Sequence, residues 1–126
     1  MIAVDTSVWI DFFRHSNSGV RTELERLLDD EEVILPAPVW IELLTGAKAQ
    51  EQTILRQLLS ALPRPIPTKD TWKMMESWTT LSVKKGMRFG MGDLLIAAIS
   101  AEQSARVWSL DVDFSQMARL KLIKIY

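Results

Sequence analysis

Acidic residues that interrupt apolar stretches are the most informative chemical feature of this 126-residue sequence. Most of its acids have polar neighbours, whereas a small group lies among apolar residues. Burying an unpaired carboxylate is costly, so each of these needs a partner. The residues of this group, which we take as candidates for chemistry, are Asp5, Glu42, Asp93, Asp111 and Asp113.

The positions of these acids predict that they converge. Asp5 follows a strand candidate, Ile2–Val4, and Asp111 and Asp113 follow another, Val107 to Leu110. Open α/β sheets bind ligands at the carboxyl ends of their parallel strands. Glu42 lies inside an apolar helical segment, and Asp93 immediately precedes one. We therefore expect the five carboxylates to meet at one edge of a sheet.

Each acid also has an ordinary structural explanation. Asp93 is a candidate N-cap for the apolar helix that follows it. Asp5 suits a helix-entry turn in which Ser7 is the cap, and Asp111 to Asp113 suits an Asx turn. These alternatives stay open at the level of sequence.

The lack of basic residues beside these acids favours a metal site. Two close carboxylates repel each other by about 4 kcal/mol at reduced dielectric, and a divalent cation removes that penalty. Ligation by oxygen alone suits Mg²⁺ or Mn²⁺ better than Zn²⁺. His15, the single histidine, is expected at the surface rather than among the ligands.

Composition predicts one soluble globular domain over residues 1–126. The chain is 48% apolar, has 15 basic and 16 acidic residues, and contains no cysteine. Its longest apolar run, Leu94 to Ile99, is far shorter than the ~20 residues of a membrane span, so we expect a cytoplasmic protein. The first 63 residues carry 10 acids and 5 bases, and the last 63 carry 6 acids and 10 bases. This asymmetry excludes only a uniformly basic nucleic-acid binder.

Short apolar runs alternate with segments of helical period, which is typical of an α/β fold around a mostly parallel sheet. The strand candidates are Ile2–Val4, Val33 to Leu35, Val107 to Leu110 and Leu122 to Ile125, with Ile66 as a possible edge strand. The helix candidates are Val20 to Leu28, Val39 to Gly46, Ile54 to Leu62, a long helix opened by Thr68, Leu94 to Ala101, and a short helix between the last two strands. Gly86 to Gly92 is predicted to be a flexible loop.

Four segments in order resemble the PIN-domain ribonucleases, and most closely their VapC-type toxins. The segments are Asp5-Thr6-Ser7-Val8-Trp9-Ile10-Asp11, Glu42-Leu43-Leu44-Thr45-Gly46, Asp93-Leu94-Leu95-Ile96-Ala97-Ala98 and Ser109-Leu110-Asp111-Val112-Asp113-Phe114. The resemblance implies a three-layer α/β/α sandwich and Mg²⁺- or Mn²⁺-dependent cleavage of RNA. It also implies that Asp5, Glu42, Asp93 and Asp111 line the metal site, with Asp113 as an auxiliary ligand and Thr6, Ser7 and Ser109 orienting carboxylates or water.

The same resemblance implies an RNA substrate, an antitoxin that occupies the acidic groove, and a homodimer. Lys84, Lys85, Arg88 and Phe89 are candidates for RNA contacts, although they equally suit a solvated helix end and turn. Apolar residues between Val39 and Leu62 suit either the dimer face or the core. The alternative function is a catalytically silent interaction module that holds a structural ion. Receiver domains and haloacid-type phosphatases match less well, because both require a second acid close to Asp5.

Overall fold

The computed structural model describes residues 1–15 and 18–126, in which short strands alternate with helices. The strands are β1 (Ile2–Val4), β2 (Val33–Ile34) and β3 (Arg106–Trp108). The helices are α1 (Thr6–Arg14), α2 (Gly19–Asp29), α3 (Ala37–Gly46), α4 (Ala49–Leu59), α5 (Lys69–Lys84), α6 (Met91–Glu102) and α7 (Val112–Arg119). Within the described residues, no helix has the length and apolar character needed to cross a membrane.

The three strands form a parallel sheet in the order β2-β1-β3. All residues of β1 are buried, so both faces of the sheet are covered. Ile2 and Val4 belong to the main core, whereas Ala3 packs on the other face with Ile34 and Ala105. The predicted α/β/α arrangement is confirmed, and the carboxyl ends of the three strands share one edge.

Irregular chain borders both sides of the sheet where the sequence predicted strands. The prediction of an edge strand at Ile66 is wrong, because residues 63–68 form no strand. The Leu35 amide nevertheless donates to the Pro63 carbonyl at 2.8 Å. Prolines lack the N–H that a continuous ladder requires, which limits this pairing to isolated bonds. The predicted strand from Leu122 to Ile125 is reduced to one parallel bridge between Val107 and Ile125.

Two differences from prediction affect the site directly. Strand β3 ends at Trp108 rather than Leu110, because the Leu110 amide donates to the Ser7 hydroxyl at 3.0 Å instead of to a strand. Helix α1, which buries Val8 and Trp9, is absent from the elements that periodicity predicts. It begins directly after β1 and carries Thr6 and Ser7 in its first turn.

The remaining helices agree with prediction apart from their ends. Helix α4 ends at Leu59, so Leu62 lies beyond it. Helix α5 is opened by Thr68, whose hydroxyl accepts from the Thr71 amide as a cap. Helix α6 begins at Met91, so the predicted glycine-rich loop is two residues shorter than expected.

Candidate active site

Asp5 stands at the centre of the strand-end region and is 5% exposed. Its Oδ2 accepts hydrogen bonds from the hydroxyls of Ser7 and Ser109, both at 2.7 Å. These two hydroxyl oxygens lie 3.2 Å apart, which joins the start of α1 to the loop after β3. No described residue donates to Oδ1, so one oxygen of a rigidly held carboxylate is free to bind a ligand.

Glu42 reaches the same region from α3, although its side chain is exposed. The Thr6 hydroxyl donates to its Oε2 at 2.8 Å and so ties α3 to the first turn of α1. A Cβ at position 92 would lie 3.8 Å from Oε1, which places Glu42 beside the first turn of α6. Gly92 was not a candidate from sequence. Its position directly before Asp93 was the available signal.

Within residues 1–15 and 18–126, Asp93, Asp111 and Asp113 form a close group of three acids. One carboxylate oxygen from each lies within 4.8 Å of the others. Asp93 comes from the first turn of α6. Asp111 and Asp113 come from the start of α7, where Asp111 Oδ1 accepts from the Asp113 amide at 2.9 Å. The loop after β3 is fixed further by the Asp111 amide, which donates to the Ser109 hydroxyl at 2.9 Å.

The capping alternatives have different outcomes for the three acids. Asp5 itself, rather than Ser7, is the N-cap of α1. Asp111 is the N-cap of α7, in agreement with the predicted Asx turn. Asp93 is not the N-cap, because Gly90 holds that position and Asp93 is the third residue of α6, within its first turn. Capping therefore accounts for part of the Asp5 and Asp111 positions and for none of the Asp93 position.

The electrostatics show that all five acids act on one region. Burial raises the pKa of Asp93 to about 6, with further upward contributions from the charges of Asp111, Asp5, Asp113 and Glu42 in that order. Across residues 1–15 and 18–126, none of the five forms an ion pair. The site is an uncompensated concentration of negative charge.

Such a site fits a divalent cation. Its donors are carboxylate oxygens, several of them free of hydrogen bonds, with hydroxyls that hold the carboxylates from behind. His15 lies on the surface, 3.3 Å from Asp11, and is not part of the site. The prediction that His15 is a surface residue is therefore confirmed.

The predicted RNA contacts lie at the end of α5 and in the loop before α6. Lys84, Lys85 and Arg88 are exposed, and Phe89 is half-buried against the main core. Only part of the Phe89 ring is therefore available to stack on a base. The loop leads within a few residues to Asp93, which leaves these side chains as candidates for substrate contact.

A largely apolar groove lies between α1, α3 and α4, and Glu42 is one of the residues that line it. Its volume is about 450 Å³. Phe13, Ile54 and Leu58 line it and are 41%, 54% and 61% exposed. Exposed apolar side chains in a concave surface are candidates for contact with another molecule. We refer to this surface as the α1–α4 groove.

Comparison with known proteins agrees with this arrangement. The PIN domain profile matches residues 2–120. Ribonuclease VapC11 of Mycobacterium tuberculosis is 29% identical over 129 residues, which cover 95% of this chain and 93% of that protein.

Solved structures also share the fold. VapBC2 from Rickettsia felis, in a crystal structure bound to a promoter DNA fragment, superposes with a TM-score of 0.83 at 21% identity and covers 100% of this chain and 98% of that one. A toxin–antitoxin complex from Klebsiella pneumoniae gives a TM-score of 0.73 at 18% identity, covering 89% and 88%. With the profile match over nearly the whole chain, these findings show that the protein belongs to the PIN domain family.

Proposed function

We propose that this protein is a divalent-metal-dependent endoribonuclease that acts as the toxin of a toxin–antitoxin pair. The observation that carries the proposal is the meeting of five carboxylates without an ion pair at the strand ends of a PIN fold. The names of its relatives, a VapC ribonuclease and a toxin–antitoxin complex, support the same conclusion.

Four carboxylates are assigned as the ligands of the cation. Asp5, Glu42, Asp93 and Asp111 supply the oxygens, and Asp113 is an auxiliary ligand. Mg²⁺ or Mn²⁺ suits this oxygen-only set. When bound, the cation neutralises charge on the scissile phosphate and makes water a better nucleophile near neutral pH.

The chain's own residues then position the reaction. Ser7 and Ser109 hold Asp5, and Thr6 holds Glu42, so the carboxylates keep their geometry without a substrate. The proposed reaction requires no histidine as general base. Lys84, Lys85 and Arg88 neutralise phosphates on either side of the cleaved bond, and the accessible part of Phe89 contacts a base.

The α1–α4 groove is the proposed docking site of the antitoxin. Its apolar lining suits one face of a partner helix, and Glu42 in that lining suits a basic side chain that blocks the acidic site. Phe13→Glu should release inhibition by the co-expressed partner and preserve RNA cleavage. Equal inhibition of Phe13→Glu and wild type would remove the groove from this role.

The nuclease assignment is tested with fluorescent RNA, Mn²⁺ or Mg²⁺, and chelator controls. We expect the wild type to produce fragments with 5′-phosphates only when metal is present. Asp5→Asn and Asp93→Asn should lower the rate at least about 100-fold, whereas Asp70→Asn, an exposed acid on α5, should cleave like the wild type. Cleavage by Asp5→Asn at the wild-type rate would contradict the assignment. Metal binding without cleavage would favour the silent interaction module.

A further inference from the structure

A second groove, lined by three basic side chains, lies near the amino-terminal ends of the strands. Arg106, Lys121 and Lys124 line it together with Ser104, Leu122 and Ile123, and its volume is about 660 Å³. Arg106 is the first residue of β3, whereas the acidic site follows the last residues of the strands. The two sites therefore lie at opposite ends of the strands. We refer to the second one as the basic groove.

The cations of the basic groove are uncompensated. In the described part of the chain, the side chains of Arg106, Lys121 and Lys124 form no ion pair and donate no hydrogen bond. None of the acids that the structure describes lines the groove. Glu102 precedes the lining residue Ser104 by two positions, and its carboxylate accepts hydrogen bonds from the hydroxyls of Thr68 and Thr71. Three positive charges in one concavity favour an anionic ligand.

These cations are not needed to cap the helices that end there. At the end of α7, the Lys121 amide donates to Ala118 at 2.9 Å and the Leu122 amide donates to Met117 at 3.1 Å. This is a Schellman arrangement, which satisfies the last carbonyls with backbone donors. Helix α6 ends in the same way, with amides of residues 104 and 105. The lysine and arginine side chains therefore donate no hydrogen bond to these carbonyls, and their charge complements the negative ends of the two helix dipoles.

Lys121 also occupies a backbone conformation that favours glycine. Its φ is 62°, and the corresponding residue after α5 is Gly86, with φ 75°. A lysine here destabilises the fold relative to glycine, because its Cβ crowds the backbone. Glu31, outside the groove, has the same conformation with a φ of 55°, so this strain is not itself evidence of a role, but it makes Lys121→Gly a test that should not cost stability. Ser104, on the same groove, has a φ of 53°.

We propose that the basic groove binds clustered phosphate groups, as carried by an RNA strand or a free nucleoside triphosphate. The arginine fork and the two lysine ammonium groups supply the charge, and the Ser104 hydroxyl supplies a neutral donor. Its volume is in the range of small-ligand sites. The choice of RNA rests on the proposed function, whereas phosphate binding itself does not.

Binding is measured in the Asp93→Asn background, in which cleavage should be at least about 100-fold slower, with a fluorescent single-stranded RNA over a series of salt concentrations. Lys121→Gly combined with Lys124→Gln should weaken binding about 10-fold. It should also reduce the salt slope by about 1.4, at about 0.7 for each of two phosphates. Lys121→Gly alone should raise the melting temperature and still weaken binding, which separates binding from folding. Two variants serve as controls. Glu31→Gly replaces a residue of the same left-handed conformation outside the groove (φ 55°), and Lys48→Gln removes an exposed lysine elsewhere. Both controls should bind like the parent.

Competition with ATP and with inorganic phosphate identifies the source of the phosphates. Displacement of RNA by ATP, with loss of ATP binding in Lys121→Gly, would assign a free nucleotide. RNA binding that depends on Lys121 and resists ATP would assign the strand. Equal affinities of the groove variants and the two controls for both ligands would overturn the inference. If the wild type cleaves RNA with metal but the groove variants bind like their parent, only the proposal for the basic groove is refuted. If the wild type does not cleave RNA, the nuclease assignment is refuted, and the ATP measurement still tests the basic groove.

Discussion

Replacement of Asp93 by asparagine should stabilise the metal-free protein at neutral pH. Burial and neighbouring carboxylates raise the pKa of Asp93 from 3.8 to about 6. The folded state therefore holds this proton more tightly than the unfolded state. The contribution to the free energy of unfolding is largest below about pH 4, falls as pH rises through about 6, and stays low above that. Asparagine has no carboxyl group to titrate, so the variant lacks this dependence of the unfolding free energy on pH.

The size of the effect follows from the pKa difference. About 2 units at 1.36 kcal/mol each sets an upper value of about 3 kcal/mol. Because Asp93 retains contact with solvent, screening reduces this to about 1 kcal/mol, or about 4 °C in melting temperature. Asp93 also lies in the first turn of α6, where the helix dipole favours a negative charge. Asp70→Asn, in the first turn of α5, measures that opposing contribution.

The assay is urea unfolding of wild type, Asp93→Asn and Asp70→Asn in chelator between about pH 4 and about pH 8. The difference in unfolding free energy between Asp93→Asn and wild type should be near zero at the acidic end and grow through about pH 6. Asp70→Asn should show no such growth. A pH-independent difference, or a less stable Asp93→Asn at about pH 8, would refute the view that repulsion and burial destabilise the ionised site.

The remaining predictions concern the support of the site, its substrate and the dimer. Ser109→Ala should weaken Mn²⁺ binding, measured by calorimetry, by about 10- to 100-fold, because Asp5 loses a hydroxyl that holds it. Its melting temperature should stay within a few degrees of that of the exposed control Ser77→Ala. Equal Mn²⁺ affinities of Ser109→Ala and Ser77→Ala would show that Asp5 needs no support from Ser109. Charge reversal at Lys84 and Lys85 should weaken RNA binding and lower the salt slope by about 0.7 per lost phosphate contact, and an unchanged slope would exclude them from the interface. Ile41→Glu, on the exposed side of α3, should shift the predicted homodimer to monomer in light scattering, and a retained dimer would move the interface elsewhere.

The acids of the site were predictable from sequence because their signal is local. Asp5 and Asp111 follow short apolar strands, and Glu42 and Asp93 contrast with their apolar neighbours. What local pattern did not predict is which carboxylates lie closest. That grouping of Asp93, Asp111 and Asp113 depends on how α7 begins after the loop.

The missed parts of the fold depend on tertiary partners. Helix α1 contains β-branched and aromatic residues with weak helix propensity, and burial of Val8 and Trp9 stabilises it. The chain around Ile66 and Ile125 pairs with the sheet through isolated bonds, which no alternating pattern marks. The helix ends at Ser104 and Lys121 lack the glycine that normally marks a left-handed residue.

The serine hydroxyls around Asp5 have a consequence for proton transfer. Each receives a backbone N–H, Ser7 from Leu110 and Ser109 from Asp111, and each gives its own proton to the same carboxylate oxygen. Two parallel hydrogen-bond chains therefore run from amide to hydroxyl to Asp5, and both end there. Because each hydroxyl proton is engaged with Asp5, neither serine is placed to protonate the departing 3′-oxygen of RNA. In the proposed reaction that proton comes from another donor, so the solvent isotope effect on cleavage should be the same in Ser7→Ala as in the wild type.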